Sequence, residues 1–307
     1  MIRGFFFLDF CTFSFKIALM KIAVIGADGQ LGNDIVRVLK DEEIVPLTIQ
    51  DMDITNFESV NRTLGKISPA LIINTAAFTN VKECEKNDRE AYEVNGIGAK
   101  NLAIVCKRLH NTLFHISTDY VFDGEKGSPY IETDIPCPLN VYGLSKLVGE
   151  YYIRYILENY FIVRTSGLYG IHTCIGKGGN FIDTMVRFSK EKDEIKVVDD
   201  EVLTPTYTLD LSQQIKALIK TNFYGIYHIT NEGECSWYEF AKAIFTFLDF
   251  NVNLKRVNSK EFPSSVRRPR YSVLENRALK KLKLNRMRPW QEALKDYIEE
   301  RKEKGMV

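Results

Sequence analysis

A tyrosine and a lysine four residues apart are the first candidates for chemistry in this sequence. Tyr142 and Lys146 stand in NVYGLSKLVGE, at the start of a stretch that is typical of a helix. Residues four apart share one face of a helix, so the Lys146 ammonium would favour the phenolate and lower the tyrosine pKa from its ordinary value of about 10. Such a phenol can give a proton to a carbonyl oxygen. The spacing alone is weak evidence, because pairs like this arise by chance on many surface helices.

A polar strand end lies upstream of this predicted helix. In HISTDYVFDG, Ser117, Thr118 and Asp119 follow an apolar run. The carboxyl ends of strands in a parallel sheet face the ligand crevice, so we expect these three side chains to point into it. Thr118 would then hydrogen-bond a carbonyl oxygen, and Tyr142 would protonate that oxygen as a hydride arrives from a nicotinamide.

The elements that must position these residues alternate regularly from Met20 onward. Short apolar runs and amphipathic stretches predict about five strands in the first 165 residues, with helices between them. This alternation is typical of βαβ units and a parallel sheet with right-handed crossovers. One predicted helix is long, covering residues 90–110. It contains Asn95, which either binds ordered water near Lys146 or is an ordinary polar helix position.

After Gly170 the pattern changes, and it predicts a second, smaller unit. We expect an α/β fold with a Rossmann-type doubly wound parallel sheet and a smaller C-terminal substrate-binding lobe. The predicted segments are 20–170 for the dinucleotide-binding domain, 205–232 as a return to it through the strand GIYHIT, and 171–204 with 233–307 for the lobe.

The first 19 residues need a separate interpretation. The segment is rich in Phe, but Asp9 and Lys16 interrupt its apolar run and no small-residue cleavage site follows. A second methionine, Met20, stands directly before the first predicted strand. We therefore expect residues 1–19 to be an extension outside the fold, with a membrane-surface anchor as the alternative.

A glycine-rich turn follows the first predicted strand. GADGQLG, residues 26–32, opens a helix, and glycines there let the backbone approach a pyrophosphate whose charge the helix end stabilises. The residue that contacts the adenosine ribose lies about 20 residues further on. An acidic residue there favours the free 2′-hydroxyl of NAD, and an Arg favours the 2′-phosphate of NADP. Either Asp51 or Asp53 in LTIQDMDIT could serve, and no Arg follows. The choice between NAD and NADP stays open.

Composition limits the kinds of partner. The 307 residues include 41 basic and 40 acidic side chains, and the net charge of +1 offers no general attraction for nucleic acid or an anionic membrane. The expected partner is a small molecule. Six scattered cysteines, without a C-x-x-C pair or a neighbouring His, predict reduced thiols in a cytoplasmic protein and neither disulfides nor a zinc site.

In order along the chain, the motifs from Met20 onward resemble the dTDP-4-dehydrorhamnose reductase family of the extended short-chain dehydrogenases/reductases. The series is GADGQLG, DIT, INTAAFTNV, NGIGAKNLA, STDYVFDG, PLNVYGLSKLVGE, RTSGLYG, GGNFIDTM, LTPT, SWYEFA and RRPRYSVL. The resemblance implies reduction of the 4-keto group of a dTDP-6-deoxy-sugar, most simply dTDP-4-dehydro-L-rhamnose to dTDP-L-rhamnose. It implies NADPH as cofactor, with NADH possible, and a homodimer.

The resemblance also implies roles for individual residues. The catalytic set is Thr118, Tyr142 and Lys146, and the last two also contact the cofactor. The other cofactor residues are Gly26, Gly29, Gln30, Leu31, Gly32, Asp53, Ile54, Ala76, Ala77 and Thr79. The substrate side comprises Val81, Asn180, Phe181, Thr206 and Arg268, which is suited to a diphosphate, together with Asp119 from the strand end. Some relatives use Mg²⁺ at a dimer contact, but no metal ligand is assigned in this sequence.

Three departures from the family pattern concern the substrate side. Gly167 stands where the family usually has Trp, Glu201 follows Asp200 where Gln is usual, and Lys82 replaces an Asp. They leave two alternatives open. One is a reductase or epimerase of another nucleotide sugar. The other is a non-catalytic, dinucleotide-binding subunit resembling the regulatory β subunit of methionine adenosyltransferase.

Overall fold

The computed structural model describes residues 19–172, 178–261 and 266–306. The prediction for residues 1–19 therefore concerns a segment that lies, apart from Leu19, outside the described residues. Within the described ranges, no helix is both long enough and apolar enough to cross a membrane. None of the cysteines in these ranges forms a disulfide.

A parallel sheet of six strands forms the centre of the molecule, in the order β10-β5-β4-β3-β1-β2. The described strands are β1 (Lys21–Ile25), β2 (Glu43–Leu47), β3 (Leu71–Asn74), β4 (Thr112–Thr118), β5 (Tyr160–Thr165), β6 (Leu168–Tyr169), β7 (Ile195–Val198), β8 (Val202–Leu203), β9 (Thr206–Tyr207), β10 (Gly225–His228), β11 (Cys235–Ser236) and β12 (Leu254–Val257). Every neighbouring pair in the sheet is parallel. The Rossmann-type fold class is confirmed, and β10 lies at the edge of the sheet beside β5.

Helices cover both faces of this sheet, which explains why strands such as β3 are buried along their whole length. The described helices are α1 (Gln30–Val38), α2 (Phe57–Ile67), α3 (Val81–Lys86), α4 (Asp88–Tyr92), α5 (Gly98–Leu109), α6 (Val141–Ile156), α7 (Phe181–Glu191), α8 (Thr208–Leu218), α9 (Trp237–Leu248), α10 (Arg277–Lys281) and α11 (Trp290–Glu303). One face packs against α1 and α8, and the other against α2, α5 and α6. The ligand crevice is expected between β1 and β3, because β2 is added on one side of β1 and the following strands on the other.

The long helix predicted over residues 90–110 is interrupted. A π-helical turn, Glu93–Ile97, separates α4 from α5. The turn packs closely against α6: a β-carbon on Gly149 would stand 2.4 Å from the carbonyl oxygen of Asn95. Periodicity could not reveal this interruption, because its cause is contact with a helix about 50 residues later in the chain.

A second apolar cluster lies away from the sheet, among α7, α9, α11 and the short strands near them. Its centre includes Phe240, Ile244 and Tyr297, all buried. Leu279 of α10 instead packs in the core of the sheet, although the sequence placed it in the smaller lobe. The division into two lobes by residue range stays a prediction.

A buried ion pair ties α6 to the sheet. The Arg164 guanidinium donates to both carboxylate oxygens of Glu150, at 2.6 Å from Nη2 to Oε2 and 3.0 Å from Nε to Oε1. The Ser117 hydroxyl donates to the same carboxylate at 2.5 Å. Side chains from β4 and β5 therefore converge on one carboxylate of α6, and the two charged residues are almost fully buried.

Replacing one member of this pair should destabilise the protein strongly. We expect Arg164→Met to lower the free energy of unfolding by about 3–5 kcal/mol, because it leaves the Glu150 carboxylate buried without its cation. The double variant Arg164→Met/Glu150→Leu should recover much of that loss. Urea unfolding checks both values. Lys21→Met is the control: it breaks an exposed pair with Glu43 and should cost less than about 1 kcal/mol. A double variant as unstable as the single one would contradict this account.

Candidate active site

A cleft of about 760 Å³ opens at the carboxyl ends of the central strands. Most of the predicted site residues line it: Gly26, Gly29, Gln30, Leu31, Asp53, Ile54, Ala76, Ala77, Thr79, Val81, Thr118, Asp119, Tyr142, Lys146, Asn180 and Phe181. Gly32, Thr206 and Arg268 are not among the residues that line the cleft. The sheet therefore brings together residues that are up to 155 positions apart in the sequence, from Gly26 to Phe181.

The glycine turn between β1 and α1 has the geometry that a dinucleotide phosphate needs. Gly26 has a φ of +74°, and a β-carbon there would lie 2.9 Å from the Ala76 nitrogen. Gly29 caps α1 without a side chain, and no acidic residue occupies the first turn. The N–H groups at this helix end can therefore meet an anion.

Gly32 and Gln30 were both expected at the pyrophosphate, but their closest contacts in the structure are with other parts of the chain. A β-carbon on Gly32 would lie 2.1 Å from the Gly26 carbonyl oxygen, so this glycine permits packing of the loop on its helix and does not face the cleft. The Gln30 side chain lines the cleft, but its amide donates to the carbonyl oxygens of Gly170 and His172. Gln30 thus ties the loop to the chain that follows β6.

The adenosine side is formed by the segment after β2. Asp53 and Ile54 line the cleft, and the Asp53 carboxylate accepts from the backbone and hydroxyl of Thr55. Asp51 is turned to the Thr48 backbone and hydroxyl, which lower its pKa. No Arg is among the described residues that line the cleft. Asp53 is therefore the better placed of the two acids.

Tyr142 and Thr118 meet at the floor of the cleft. The Thr118 hydroxyl is close enough to the Tyr142 phenol to lower its pKa. The Thr118 hydroxyl donates to Asp119 Oδ1 at 3.1 Å and accepts from the Tyr120 backbone at 3.1 Å. Burial raises the pKa of Tyr142 well above its ordinary range, so the expectation that Lys146 lowers it is not met. The phenol keeps its proton through the neutral range, which is the form that a proton donor requires.

Lys146 is buried behind this pair. Its Nζ donates to the Ile116 carbonyl oxygen at 2.6 Å and lies 3.3 Å from His115 Nε2. Burial lowers the pKa of Lys146 to about 8, against the opposing effect of Glu150 on the next turn of α6. The amine can therefore gain or lose a proton near neutral pH.

Asp119 and Ser117, at the end of β4, have different surroundings from those expected. Burial raises the pKa of Asp119 to about 6, against the lowering effect of hydrogen bonds from Thr118 and Ser166 and of the nearby Ser272 hydroxyl. Ser117 borders the cleft, but its hydroxyl donates to Glu150 and so serves the ion pair.

Both N–H groups of the Asn95 amide have acceptors within the protein. Its Oδ1 accepts from the Phe78 backbone N–H at 2.9 Å, and its Nδ2 donates to the Phe78 carbonyl and to Ser145 Oγ, each at 3.0 Å. These bonds fix the segment between Ala76 and Thr79, which forms a wall of the cleft. Asn95 is thus more than a polar helix position, and a water ligand near Lys146 stays a prediction.

The far end of the cleft is aromatic. Phe181 of α7 and Trp237 of α9 have ring centroids 4.5 Å apart, and Phe240 lies beside them. Asn180 borders this end, but its Oδ1 caps α7 by accepting from Ile182 and Asp183. Sequence reasoning missed Tyr120 and Trp237 as lining residues, whereas Glu201, a departure from the family pattern on the substrate side, does line the cleft. Only the aromatic start of SWYEFA could have indicated Trp237.

Gly167 has a physical reason to be glycine. Its φ is +55°, and a β-carbon would lie 2.7 Å from Leu203 Cδ1 and 3.2 Å from Pro205 Cα. A tryptophan cannot occupy this backbone without moving β8 and its loop. The aromatic surface on this side of the cleft comes from Trp237 and Phe181 instead.

Thr206 and Arg268 lie outside the cleft lining. Thr206 is completely buried in β9, where its hydroxyl meets the Thr204 carbonyl. Arg268 lies close to Glu201 and Tyr120, which both line the cleft. Its positive charge lowers the pKa of each of these side chains, while burial raises it. Its Nε is buried without a hydrogen-bond partner among the described residues. Such a donor suits an anionic group at the cleft edge.

A metal site has no counterpart in the described part of the chain. There, no group of three or more His, Cys, Asp or Glu side chains could hold an ion.

Comparison with known proteins identifies the family. A family model described as the RmlD substrate binding domain matches residues 20–303. The Bacillus subtilis spore coat polysaccharide biosynthesis protein SpsK is 41% identical over 92% of this chain and 98% of its own. A Streptomyces niveus dTDP-4-keto-6-deoxy-D-glucose reductase is 40% identical over 88% of this chain and 94% of its own.

A crystal structure of dTDP-4-dehydrorhamnose reductase from Bacillus anthracis, in complex with NADP, superposes with a TM-score of 0.88. It is 40% identical in sequence, and the match covers 92% of this chain and 99% of that one. The predicted resemblance is therefore confirmed. With its glycine turn, its Thr–Tyr–Lys set and these relatives, the chain belongs to the RmlD substrate-binding-domain family, that of the dTDP-4-dehydrorhamnose reductases.

Proposed function

We propose that this protein is an NADPH-dependent reductase of the 4-keto group of a dTDP-6-deoxy-sugar. The observation that carries the proposal is the meeting of the protonated Tyr142 phenol with the Thr118 hydroxyl, in front of Lys146 and at the open end of the glycine turn. A ketone held there would contact a proton donor within reach of a bound nicotinamide. The Bacillus anthracis relative was solved with NADP, which supports NADPH as the cofactor.

The chain's own residues would perform four tasks in this reaction. Bound NADPH supplies the hydride. Thr118 holds the carbonyl oxygen, and Tyr142 transfers its proton to that oxygen as the carbon–oxygen double bond becomes a single bond. Lys146, as the ammonium, stabilises the phenolate that remains until a proton from solvent restores the phenol. Gly26 and Gly29 bind and orient the dinucleotide.

The cleft beyond Tyr142 would hold the nucleotide sugar. We propose Val81, Asp119, Asn180 and Phe181 as substrate contacts, as the sequence implied, and add Trp237 as an aromatic surface for a flat group. Arg268 remains proposed for the diphosphate because of its unpaired Nε. For Thr206 we propose a structural role in place of a contact, since it is completely buried.

The exact sugar is the finer part of the proposal, and dTDP-4-dehydro-L-rhamnose is our first choice. The Streptomyces niveus relative carries the name of a reductase of a different 4-keto-6-deoxy sugar, so that compound is the second choice. A non-catalytic regulatory subunit is not favoured, because the Thr118, Tyr142 and Lys146 side chains are all placed for proton transfer.

The choice of substrate is tested by a turnover assay. With NADPH, we expect oxidation of the cofactor on adding dTDP-4-dehydro-L-rhamnose, with a lower kcat/KM on dTDP-4-keto-6-deoxy-D-glucose and a lower rate with NADH. Loss of nicotinamide absorbance measures all three. The reversed order of the two sugars would move the assignment to the second one, and no oxidation with either would refute the reductase.

The role of Tyr142 is tested by removing its hydroxyl. Tyr142→Phe should lower kcat by about 10²–10⁴-fold, the usual contribution of a positioned general acid, and leave NADPH affinity nearly unchanged. Tyr155→Phe is the matched control, because Tyr155 lies on the same helix but does not line the cleft. Substantial turnover by Tyr142→Phe would remove it from the role of proton donor.

We further propose a cytoplasmic homodimer. Leu144, Tyr151 and Tyr155 form an exposed apolar stripe along α6. Burial of this stripe against a second copy would remove it from water. Light scattering should give twice the monomer mass, and Tyr155→Lys should weaken the dimer. A monomer at micromolar concentration would contradict the proposal.

A further inference from the structure

His115 lies next to Lys146 and has no task in the reaction as described. It is a buried residue of β4, with its Nε2 3.3 Å from Lys146 Nζ and its Nδ1 3.0 Å from Asn74 Nδ2. Asn74 and His115 are direct partners in the register of β3 and β4. The three side chains form a buried chain that ends at the catalytic lysine.

The orientation of Asn74 determines which nitrogen of His115 carries the proton. Asn74 Oδ1 accepts from the Ala76 backbone N–H at 3.1 Å, so its NH₂ group faces His115 Nδ1. An NH₂ group only donates, and therefore Nδ1 must accept. Burial and the neighbouring Lys146 hold the pKa of His115 well below its usual range, so the ring is neutral. The single ring proton then sits on Nε2.

Lys146 Nζ therefore faces an N–H donor. An ammonium group has no lone pair, so it would meet His115 Nε2–H donor to donor. An uncharged amine has a lone pair that accepts this N–H, and it still donates to the Ile116 carbonyl at 2.6 Å. The contact favours the amine, and burial of Lys146 acts in the same direction.

The charged and titratable groups around Lys146 do not reverse this preference. Glu150, on the next turn of α6, favours the ammonium, but its carboxylate is shared by Arg164 of β5 and Ser117 of β4. Tyr142, on the preceding turn, stays protonated because burial raises its pKa. Within the described ranges no carboxylate hydrogen-bonds to Nζ, which has only the two partners named above.

We propose that His115 is a positioning residue: held by Asn74 with its proton on Nε2, it favours the uncharged amine of Lys146 until the dinucleotide binds. This inference rests on the proposed function. Binding of the anionic NADPH favours the ammonium, and Lys146 takes up one proton from solvent. The lysine is then charged in the complex that performs the reduction, where its charge stabilises the phenolate.

The first test is the affinity for NADPH as a function of pH, measured by fluorescence titration without a sugar. Proton uptake makes Kd constant below the pKa of free Lys146 and makes it rise by up to about tenfold per pH unit above it. The break is expected at about pH 8 in the wild type. His115→Leu removes the Nε2–H donor, raises the pKa of Lys146 and should move the break upward by about one unit, the size of one hydrogen bond.

Three further variants separate this role from a structural one. His115→Gln presents an amide N–H in place of Nε2–H and should keep the break near its wild-type position. Lys146→Met should remove the break, and His110→Asn, at an exposed histidine, should not move it. A break at the same pH in the wild type and His115→Leu would overturn the proposal.

The second test needs neither turnover nor a stable His115→Leu protein. Nitrogen-15 NMR of the wild-type imidazoles should show His115 with a protonated Nε2 and a bare Nδ1, the signal being assigned by its loss in His115→Gln. If that variant does not fold, elimination of the other three histidines assigns it. A proton on Nδ1 would overturn the proposal. Neither test uses the sugar, so failure to reduce either sugar would contradict the proposed function alone.

Discussion

The close seating of α6 on β4 and β5 is the constraint on which the active site depends. Arg164 and Ser117 converge on the buried Glu150 carboxylate, and this fixes the position of the helix along the strands. Lys146 lies one helical turn before Glu150, and Tyr142 lies two turns before it. Both side chains therefore reach the end of β4, where Thr118 lies. A buried Glu150 carboxylate without these partners would cost about 3–5 kcal/mol, so the pair holds α6 in this position.

The same seating determines the protonation of the catalytic groups. Tyr142 and Lys146 are both removed from water, and burial shifts each pKa toward the uncharged form. A phenol that keeps its proton and an amine that can exchange one near neutral pH are complementary in a reduction that ends with proton transfer to oxygen. Proximity in the helix alone suggests the opposite, a phenolate beside an ammonium, and here the loss of hydration outweighs that attraction.

Much of this molecule follows from local patterns. The apolar alternation predicted the strands of the sheet and the helices between them. The glycine turn, Thr118, Tyr142 and Lys146 were found from residue type and spacing. Features that depend on distant contacts were missed: the π-helical turn at Asn95, where α5 adjusts to α6, and the placement of Thr206 inside β9 and not at the cleft.

The sequence by itself determined which chemistry is available: a glycine-bounded helix end for phosphates, a hydroxyl at a strand end, and a phenol and an amine on one helical face. Only the tertiary structure decided the state of those groups. Asn74, His115 and Lys146 come from β3, β4 and α6, and their hydrogen bonds select a tautomer and a charge that spacing cannot encode. The physical reason is that burial and hydrogen-bond direction, which control protonation, exist only once residues distant in the chain are packed together.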